Sequence, residues 1–257
     1  MMRPTERFTS RVENYARYRP GYAPAAIDLL AARCGLSPSA VVADVGSGTG
    51  ILSELLLERG AQVTGVEPND AMRAAAEEQL GAQVRFRSVR GTAESTTLAS
   101  ASIDLLVAGQ AFHWFEPRAA RREALRVLKP GGWAGLLWNE HPPAGSAFLA
   151  DYDALLRRYA AEYDGIVQRR ADEAGMREFL GGTLERATFP NPRTYDLAAL
   201  TGRLMSASYA PEPGHPQHAP LLAGLAAVFH RHAVNGAIVF PYETRVYFAL
   251  LKPAGQA

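Results

Sequence analysis

The stretch Val41-Val42-Ala43-Asp44-Val45-Gly46-Ser47-Gly48-Thr49-Gly50 joins a short apolar, β-branched run to three glycines at alternate positions, and a helical pattern, Ile51–Arg59, opens directly after them. Glycine lets a backbone turn sharply from strand to helix and lets a ligand approach where a Cβ would collide. Open α/β sheets bind their ligands at this place, outside the carboxyl end of a parallel strand. The dinucleotide fingerprint G-x-G-x-x-G would need glycine at position 51, where the chain has Ile51; it reads G-x-G-x-G instead. Taken alone, such a loop also reads as plain turn chemistry.

Working outward, β-branched runs recur at Gln62–Val66, Val84–Arg87, Ile103–Ala108 and Trp133–Asn139, with helical patterns at Ala71–Leu80 and Arg118–Leu128 between most of them. A further helix is predicted from Pro24 to about Arg33. Strand and helix alternating in this way imply a parallel sheet with helices on both faces, and the near-continuous apolar strands fit burial on both sides. After Asn139 the rhythm breaks. Helices are predicted at Ser146–Tyr163, Asp172–Leu180, Leu197–Ala207 and Ala219–Ala233, and strands at Leu184–Phe189 and Ala237–Leu251. The expected fold is α/β: a Rossmann-like, seven-stranded, mostly parallel sheet with an antiparallel C-terminal edge strand and a helical cap. The chain divides into a core at 41–139, a cap at 140–235 and a closing strand at 236–253, all within one domain. The Pro-rich stretch Tyr209–Pro220 is expected to be a surface loop of the cap.

Composition narrows the function. The chain has 257 residues, 47% of them hydrophobic, enough for a well-buried core. A formal charge of +1 lacks the basic footprint of a nucleic-acid binder. Cys34 is the single cysteine, so no intrachain disulfide or cysteine cluster for zinc is expected, and it reads as a small packed hydrophobe. The polar stretch Met1–Pro20 lacks the apolar centre of a signal peptide, and no run reaches the ~18–20 apolar residues of a membrane span. These features predict a cytoplasmic protein. Lysine occurs only at Lys129 and Lys252 among 27 basic residues, a bias that points to a bacterial source of high GC content.

Val63-Thr64-Gly65-Val66-Glu67 ends the second run on a carboxylate close to the ~20-residue offset at which an acidic residue accepts ribose hydroxyls. Two carboxylate oxygens match two adjacent hydroxyl donors. The alternative role, a charge at the start of the next helix, falls more naturally to Asp70.

These pieces resemble a class I S-adenosylmethionine-dependent methyltransferase of the large type 11 family. The match is carried by Val42–Gly50, Val66-Glu67-Pro68-Asn69, Gly91-Thr92-Ala93-Glu94, Gln110-Ala111-Phe112-His113-Trp114-Phe115 and Arg126-Val127-Leu128-Lys129-Pro130-Gly131-Gly132, in that order. Asn14-Tyr15-Ala16-Arg17-Tyr18-Arg19-Pro20 also resembles a subgroup that includes trans-aconitate methyltransferase-like enzymes. The resemblance implies S-adenosylmethionine as cofactor, S-adenosylhomocysteine as product and no metal. It implies that Gly46, Ser47, Gly48 and Asp44 hold the methionine part, with Gly109 and Gln110 beside it. Glu67 would hold the ribose, Pro68 or Met72 would pack on the adenine, and Thr92, Ala93 and Glu94 would edge it. Thr92 stands where many relatives have aspartate, which moves the adenine contact to Glu94, Thr92 or the backbone. Tyr15 and Arg19 would close over the cofactor carboxylate, or belong to an ordinary amphipathic helix.

Methyl transfer from a sulfonium needs positioning and exclusion of water more than covalent help. His113 is the candidate base, with packing among aromatics as its alternative. Phe112, Trp114, Glu140 and Tyr209 are expected to line the acceptor pocket. His230 and His232 point to different faces of one helix and make a poor metal pair. Asn191-Pro192-Arg193 departs from the Asn-Pro-Pro-aromatic motif of amino-methylating enzymes and is discounted. The cap, with Phe148, Tyr152, Tyr159, Phe179 and Tyr209, is expected to enclose a mainly apolar pocket of a few hundred Å³ for a small acceptor, without nucleic-acid or membrane partners. The competing readings are an NAD(P)-dependent oxidoreductase on a related fold, a non-catalytic binding module, and an RNA or protein methyltransferase.

Overall fold

The computed structural model describes residues 11–142, 145–170, 172–181 and 184–252. The first ten residues of the polar N-terminal stretch and Pro253 of the expected closing strand lie outside them.

The apolar runs form β1 (Val41–Val45), β2 (Gln62–Val66), β3 (Phe86–Val89), β4 (Ile103–Gly109), β5 (Leu128–Glu140), β6 (Glu185–Pro190) and β9 (Glu243–Leu250) of one seven-stranded sheet, ordered β3-β2-β1-β4-β5-β9-β6. The first five pair in parallel, and β9 runs antiparallel between β5 and β6. The C-terminal strand is antiparallel, as the sequence suggests, and β6 hydrogen-bonds along its outer side, so β6 is the outermost strand there. β3 starts later than Val84–Arg87 because Val84 is 99% exposed and Phe86 is the residue that pairs with Val63.

Side chains alternate across the sheet. Val42, Leu105, Val107 and Leu137 pack on one face against Ile27 and Leu30 of α2 (Pro24–Arg33) and Leu52 and Leu56 of α3 (Ile51–Glu58). Ala43, Leu106, Ala108, Leu136 and Trp138 pack on the other against Ala120 and Ala124 of α5 (Pro117–Val127) and Phe179 of α8 (Glu173–Leu180). α4 (Asp70–Leu80) lies between β2 and β3 in the chain. Its N-cap is Asn69, whose side chain accepts from the Met72 amide; Asp70, favoured from sequence, is the first helical residue and pairs with Arg73 at 2.8 Å.

The segment after β5 builds a third core of its own from α6 (Ala147–Tyr159), α7 (Tyr163–Arg170), α9 (Leu197–Met205), α10 (His218–His232) and a ribbon of β7 (Arg193–Tyr195) with β8 (Ile238–Phe240). The single strand expected at Ala237–Leu251 is therefore two. Pro241 has no amide to donate, so the ladder stops at Phe240 and resumes in β9. Phe148, Tyr152 and Tyr209 sit in this core, and Phe179 in the core under the sheet.

α1 (Val12–Tyr18) lies against α9. Arg11 donates to the carbonyls of Met205, Ala207 and Ala210, and Arg19 to that of Ser206. The carbonyls at a helix end lack intrahelical donors, and arginine satisfies them while matching the helix dipole. Behind α1, Asn139 gathers four segments. Its Nδ2 donates to the Pro20 and Gly21 carbonyls, and its Oδ1 accepts from Asn191 Nδ2 and Thr244 Oγ1. Asn191, from the discounted Asn-Pro-Arg stretch, thus sits in a structural junction. An Asn139→Leu protein is expected to lose about 2–4 kcal/mol of stability through unsatisfied buried groups, read as a lower midpoint in urea; an unchanged midpoint would refute the junction's importance.

Candidate functional site

At the carboxyl ends of β1, β2 and β4 the chain leaves two adjoining cavities. The larger, about 220 Å³, is lined by Tyr15, Gly46, Gly48, Glu67, Pro68, Asn69, Met72, Thr92, Ala93, Glu94, Gly109, Gln110, Ala111, Trp114 and Phe115. The smaller, about 30 Å³, lies between α1 and the cap and is lined by Tyr15, Arg19, Pro20, Tyr22, Asp44, Ser47, Ile51, Leu52, Gly109, Gln110, Asn139, Arg203 and Tyr242. Tyr15, Gly109 and Gln110 belong to both.

The glycine loop shapes the wall they share. Gly46 and Gly48 have φ of +70° and +57°, in the left-handed region that favours glycine, and a Cβ on Gly46 would stand 2.5 Å from that of Ala111. The turn aims the Gly48 amide at Glu67 Oε2 (2.9 Å), and the Asn69 amide reaches Oε1 (2.8 Å). Burial raises the pKa of Glu67, against the lowering effect of those two bonds. Asp44 is 1% exposed; Ser53 Oγ donates to its Oδ2 at 2.7 Å, and Oδ1 has no partner among the described residues. Burial pushes Asp44 up to about 7, opposed by the Ser53 bond and helped by the charge of Glu67.

Gln110 follows β4 with φ +58°, a strained value for a residue with a side chain. Its amide donates to Leu137 O, its Nε2 to Asn139 O at 3.0 Å, and its Oε1 is buried without a partner. Arg19 lies over the Tyr15 ring at 4.9 Å, and its Nε is likewise buried and unpartnered. Glu94 Oε1 accepts from the Glu116 amide at the start of α5, and Thr92 pairs with Ser95 in a tight turn.

Most of the residues singled out from sequence thus converge, and the exceptions have clear causes. His113 lines neither cavity: it occupies a 3₁₀ turn, Phe112–Trp114, that lays it against the Trp114 ring at 4.7 Å and leaves Trp114 on the cavity wall. A base role for His113 is not carried by this geometry. Phe112 is 3% exposed and packs against Phe115, Trp138 and Phe179 in the core. Glu140 pairs with Arg245 at 2.6 Å, and Tyr209 packs on Tyr163 inside the cap; neither lines these cavities. The expected apolar space under the cap is instead small and polar. The cap aromatics Phe148 and Tyr152 bury against Phe240 of the β7–β8 ribbon. Sequence reasoning missed Asn69, Phe115, Tyr22, Asn139, Arg203 and Tyr242 as wall residues. Asn69 was findable as a helix cap beside Glu67; Arg203 and Tyr242 carry no local signal.

This geometry has known counterparts. Residues 43–136 match the methyltransferase-domain family. Uncharacterized methyltransferases of Mycobacterium tuberculosis and Mycobacterium bovis are 41% identical over 138 residues, 51% of this chain and 51% of theirs. The chain spans about half the length of these curated relatives in the match. A methyltransferase-like protein of Schizosaccharomyces pombe is 25% identical over 254 residues, covering 96% of each. Among solved structures, a provisionally named type II methyltransferase from Anaeromyxobacter dehalogenans aligns with a TM-score of 0.59 at 22% identity, over 92% of this chain and 99% of that one. The Bacillus subtilis YcgJ protein gives 0.55 at 18%, over 90% and 99%. These two share the fold. The methyltransferase-domain match ends before the cap, so it takes in Asp44, the glycine loop, Glu67 and Gln110 but neither α1 nor Arg203. Among the described residues, no helix is long and apolar enough to cross a membrane.

The raised pKa of Asp44 predicts a pH dependence. A carboxyl that binds its proton more tightly folded than unfolded stabilises the fold fully below its unfolded pKa, here 3.8, and loses that contribution by about pH 7. The wild-type protein should therefore lose stability relative to Asp44→Asn between those values, measured as the difference in urea midpoints; parallel curves would refute the assignment.

Proposed function

We propose that the chain transfers a methyl group from S-adenosylmethionine to a small-molecule acceptor. The observation that carries this reading is Glu67, fixed through both oxygens by the amides of Gly48 and Asn69 on the wall of the larger cavity. A carboxylate oxygen accepts more than one hydrogen bond, so this fixed group retains acceptor capacity for two adjacent ribose hydroxyls. The rest of the surroundings fits the same molecule. Pro68, Met72, Ala93, Trp114 and Phe115 form an apolar slot for the adenine, and Glu94 and the backbone at Thr92 and Ala93 supply polar groups at its edge. In the smaller cavity the orphaned Asp44 Oδ1 faces an ammonium's requirements, and Arg19 Nε those of a carboxylate.

Bound there, S-adenosylmethionine would supply an activated methyl group, which joins the acceptor's lone pair as the carbon–sulfur bond breaks and its electron pair stays on sulfur. The chain's own residues bind and orient. Tyr15 and Gln110, common to both cavities, flank the place where donor and acceptor would meet, and exclusion of water there favours the transfer. Gln110 is locked by Asn139 and by its own backbone, so it positions a partner without first reorganising. The relatives and the domain match support methyl transfer over the oxidoreductase reading, as does Ile51 where a dinucleotide site needs glycine.

Thermal-shift measurements should show stabilisation by S-adenosylhomocysteine and none by NAD(P); the reverse would overturn the proposal. Calorimetry on Glu67→Ala is expected to show about 2–4 kcal/mol less affinity for S-adenosylhomocysteine, because bonds to a charged acceptor are the stronger kind. Unchanged affinity would remove Glu67 from the ribose. Gly48→Val should fold yet lose that binding, since φ of +57° disfavours a β-branched residue and the added side chain, its Cβ 3.9 Å from the Tyr15 ring, would take up space in the cavity both residues line; full affinity would mean that the loop does not face the ligand.

A further inference from the structure

Arg203 stands on α9, in the cap, and is 7% exposed. Its Nε donates to Tyr242 Oη at 2.5 Å and its Nη1 to Tyr152 Oη at 2.6 Å, and its guanidinium carbon lies 4.8 Å from the Phe240 ring centroid. Every group that holds it is neutral. No carboxylate of the described residues forms an ion pair with it, and Nη2 bonds to none of them. A buried cation without a counter-charge is costly, and a chain retains one where something else completes the pair. Arg203 lines the smaller cavity, whose charged side chains are Asp44, Arg19 and Arg203, two cations against one carboxylate. A space of about 30 Å³ is roughly one water's share of the liquid, so it takes the end of a molecule lodged in the larger cavity and not a second molecule.

We infer that Arg203 binds the carboxylate of the cofactor's methionine end, so that the cofactor itself ties the cap to the sheet. The inference rests on the proposed function and adds a residue of the cap to the site. The methionine end is a zwitterion: its ammonium meets Asp44, and its carboxylate supplies the negative charge that the cavity lacks. Tyr152 and Tyr242 use up Nε and Nη1, which orients the guanidinium and leaves Nη2 for the ligand. Arg19 reaches the same space from α1, and a carboxylate has acceptor capacity for both arginines. Arg203 is the more deeply buried of the two, and a buried charge pair is screened less. Glu67 ends β2, whereas Arg203 hangs from a helix whose core shares no residue with the clusters flanking the sheet. A ligand gripped by Glu67 at its ribose and by Arg203 at its carboxylate therefore links two units that pack separately.

The test uses three ligands that differ only at this end. S-adenosylhomocysteine is complete, its decarboxylated analogue keeps the ammonium alone, and 5′-methylthioadenosine lacks the amino-acid end altogether. Calorimetry on the wild-type protein should show the decarboxylated analogue binding on the order of a hundredfold more weakly than S-adenosylhomocysteine, as expected for a lost buried charge pair. Arg203→Gln should weaken S-adenosylhomocysteine by a similar factor, close most of that gap, and leave 5′-methylthioadenosine within about twofold of wild type. Arg203→Lys should recover part of the loss. A gap that survives in Arg203→Gln would overturn the inference, as would an equal loss for all three ligands, the mark of a merely structural residue. A gap abolished by Arg19→Gln and untouched by Arg203→Gln would give the carboxylate to Arg19 and overturn it too. Should the Arg203 variants not fold, hydrogen exchange on the wild-type protein decides. S-adenosylhomocysteine should slow exchange along α9 (Leu197–Met205) and 5′-methylthioadenosine should not; equal protection by both would refute the tie between cofactor and cap. A wild-type protein that binds none of the three would sink the proposed function and this inference with it, whereas equal affinity for all three would sink the inference alone.

Discussion

Two carboxylates stand in nearly dry surroundings at the ends of neighbouring parallel strands, and much of the architecture follows from holding them there. A buried carboxylate needs donors, and side chains long enough to serve would fill the cavity it faces. The backbone supplies them to Glu67 instead, through the amides of Gly48 and Asn69. That solution requires the chain after β1 to turn in the left-handed region and the chain after β2 to start a helix at once. The glycines at 46 and 48 and the Asn69 cap are the local consequences. Asp44 receives only Ser53, in the first turn of α3, so its second oxygen stays unpartnered beside the smaller cavity.

The same economy holds on the opposite wall. Gln110 keeps a backbone conformation that costs of order 1–3 kcal/mol, stabilised by its bonds to Leu137 and Asn139. Asn139 in turn fixes Pro20 and Gly21, where α1 gives way to α2. The segment carrying Tyr15 and Arg19 is thus anchored at one end to the sheet and, through Arg11 and Arg19, to the end of α9. Polar bonds to backbone carbonyls, more than buried apolar area, set the position of α1.

How far this was readable in the sequence depended on the range of the interactions. The parallel strands announced themselves because each is covered on both faces, and Asp44, Glu67 and the glycine loop because their spacing is local. The line failed where chemistry depends on the path of the cap. Arg203 and Tyr242 look like ordinary residues of an amphipathic helix and a strand end until the fold brings them to the cavity that Asp44 also lines. Glu140 is the last residue of β5, at the right end of the sheet, yet Arg245 on the neighbouring antiparallel strand claims it. The alternation of Ile238, Phe240, Tyr242, Val246 and Phe248, all buried, runs straight across Pro241, which hid the break between β8 and β9. The helix predicted at Ser146–Tyr163 stops where α7 begins, and α7 itself goes unpredicted because Gly165 and its polar flanks dilute the apolar period.

The separate core of the cap has a consequence for how such a chain diversifies. Its buried residues, from Phe148 to Tyr242, share no member with the two clusters that flank the sheet. Substitutions far apart with no shared partners add nearly independently, so repacking the inside of the cap reaches the cavities only where the two parts meet, above all at α1 against α9. The strands and helices up to β5 act as an inherited chassis, and the segment beyond as an exchangeable lid whose inner wall can be rewritten one polar side chain at a time. Changes at cap positions such as Arg203 and Tyr242 then alter one wall of the smaller cavity and leave the backbone amides that hold Glu67 in place.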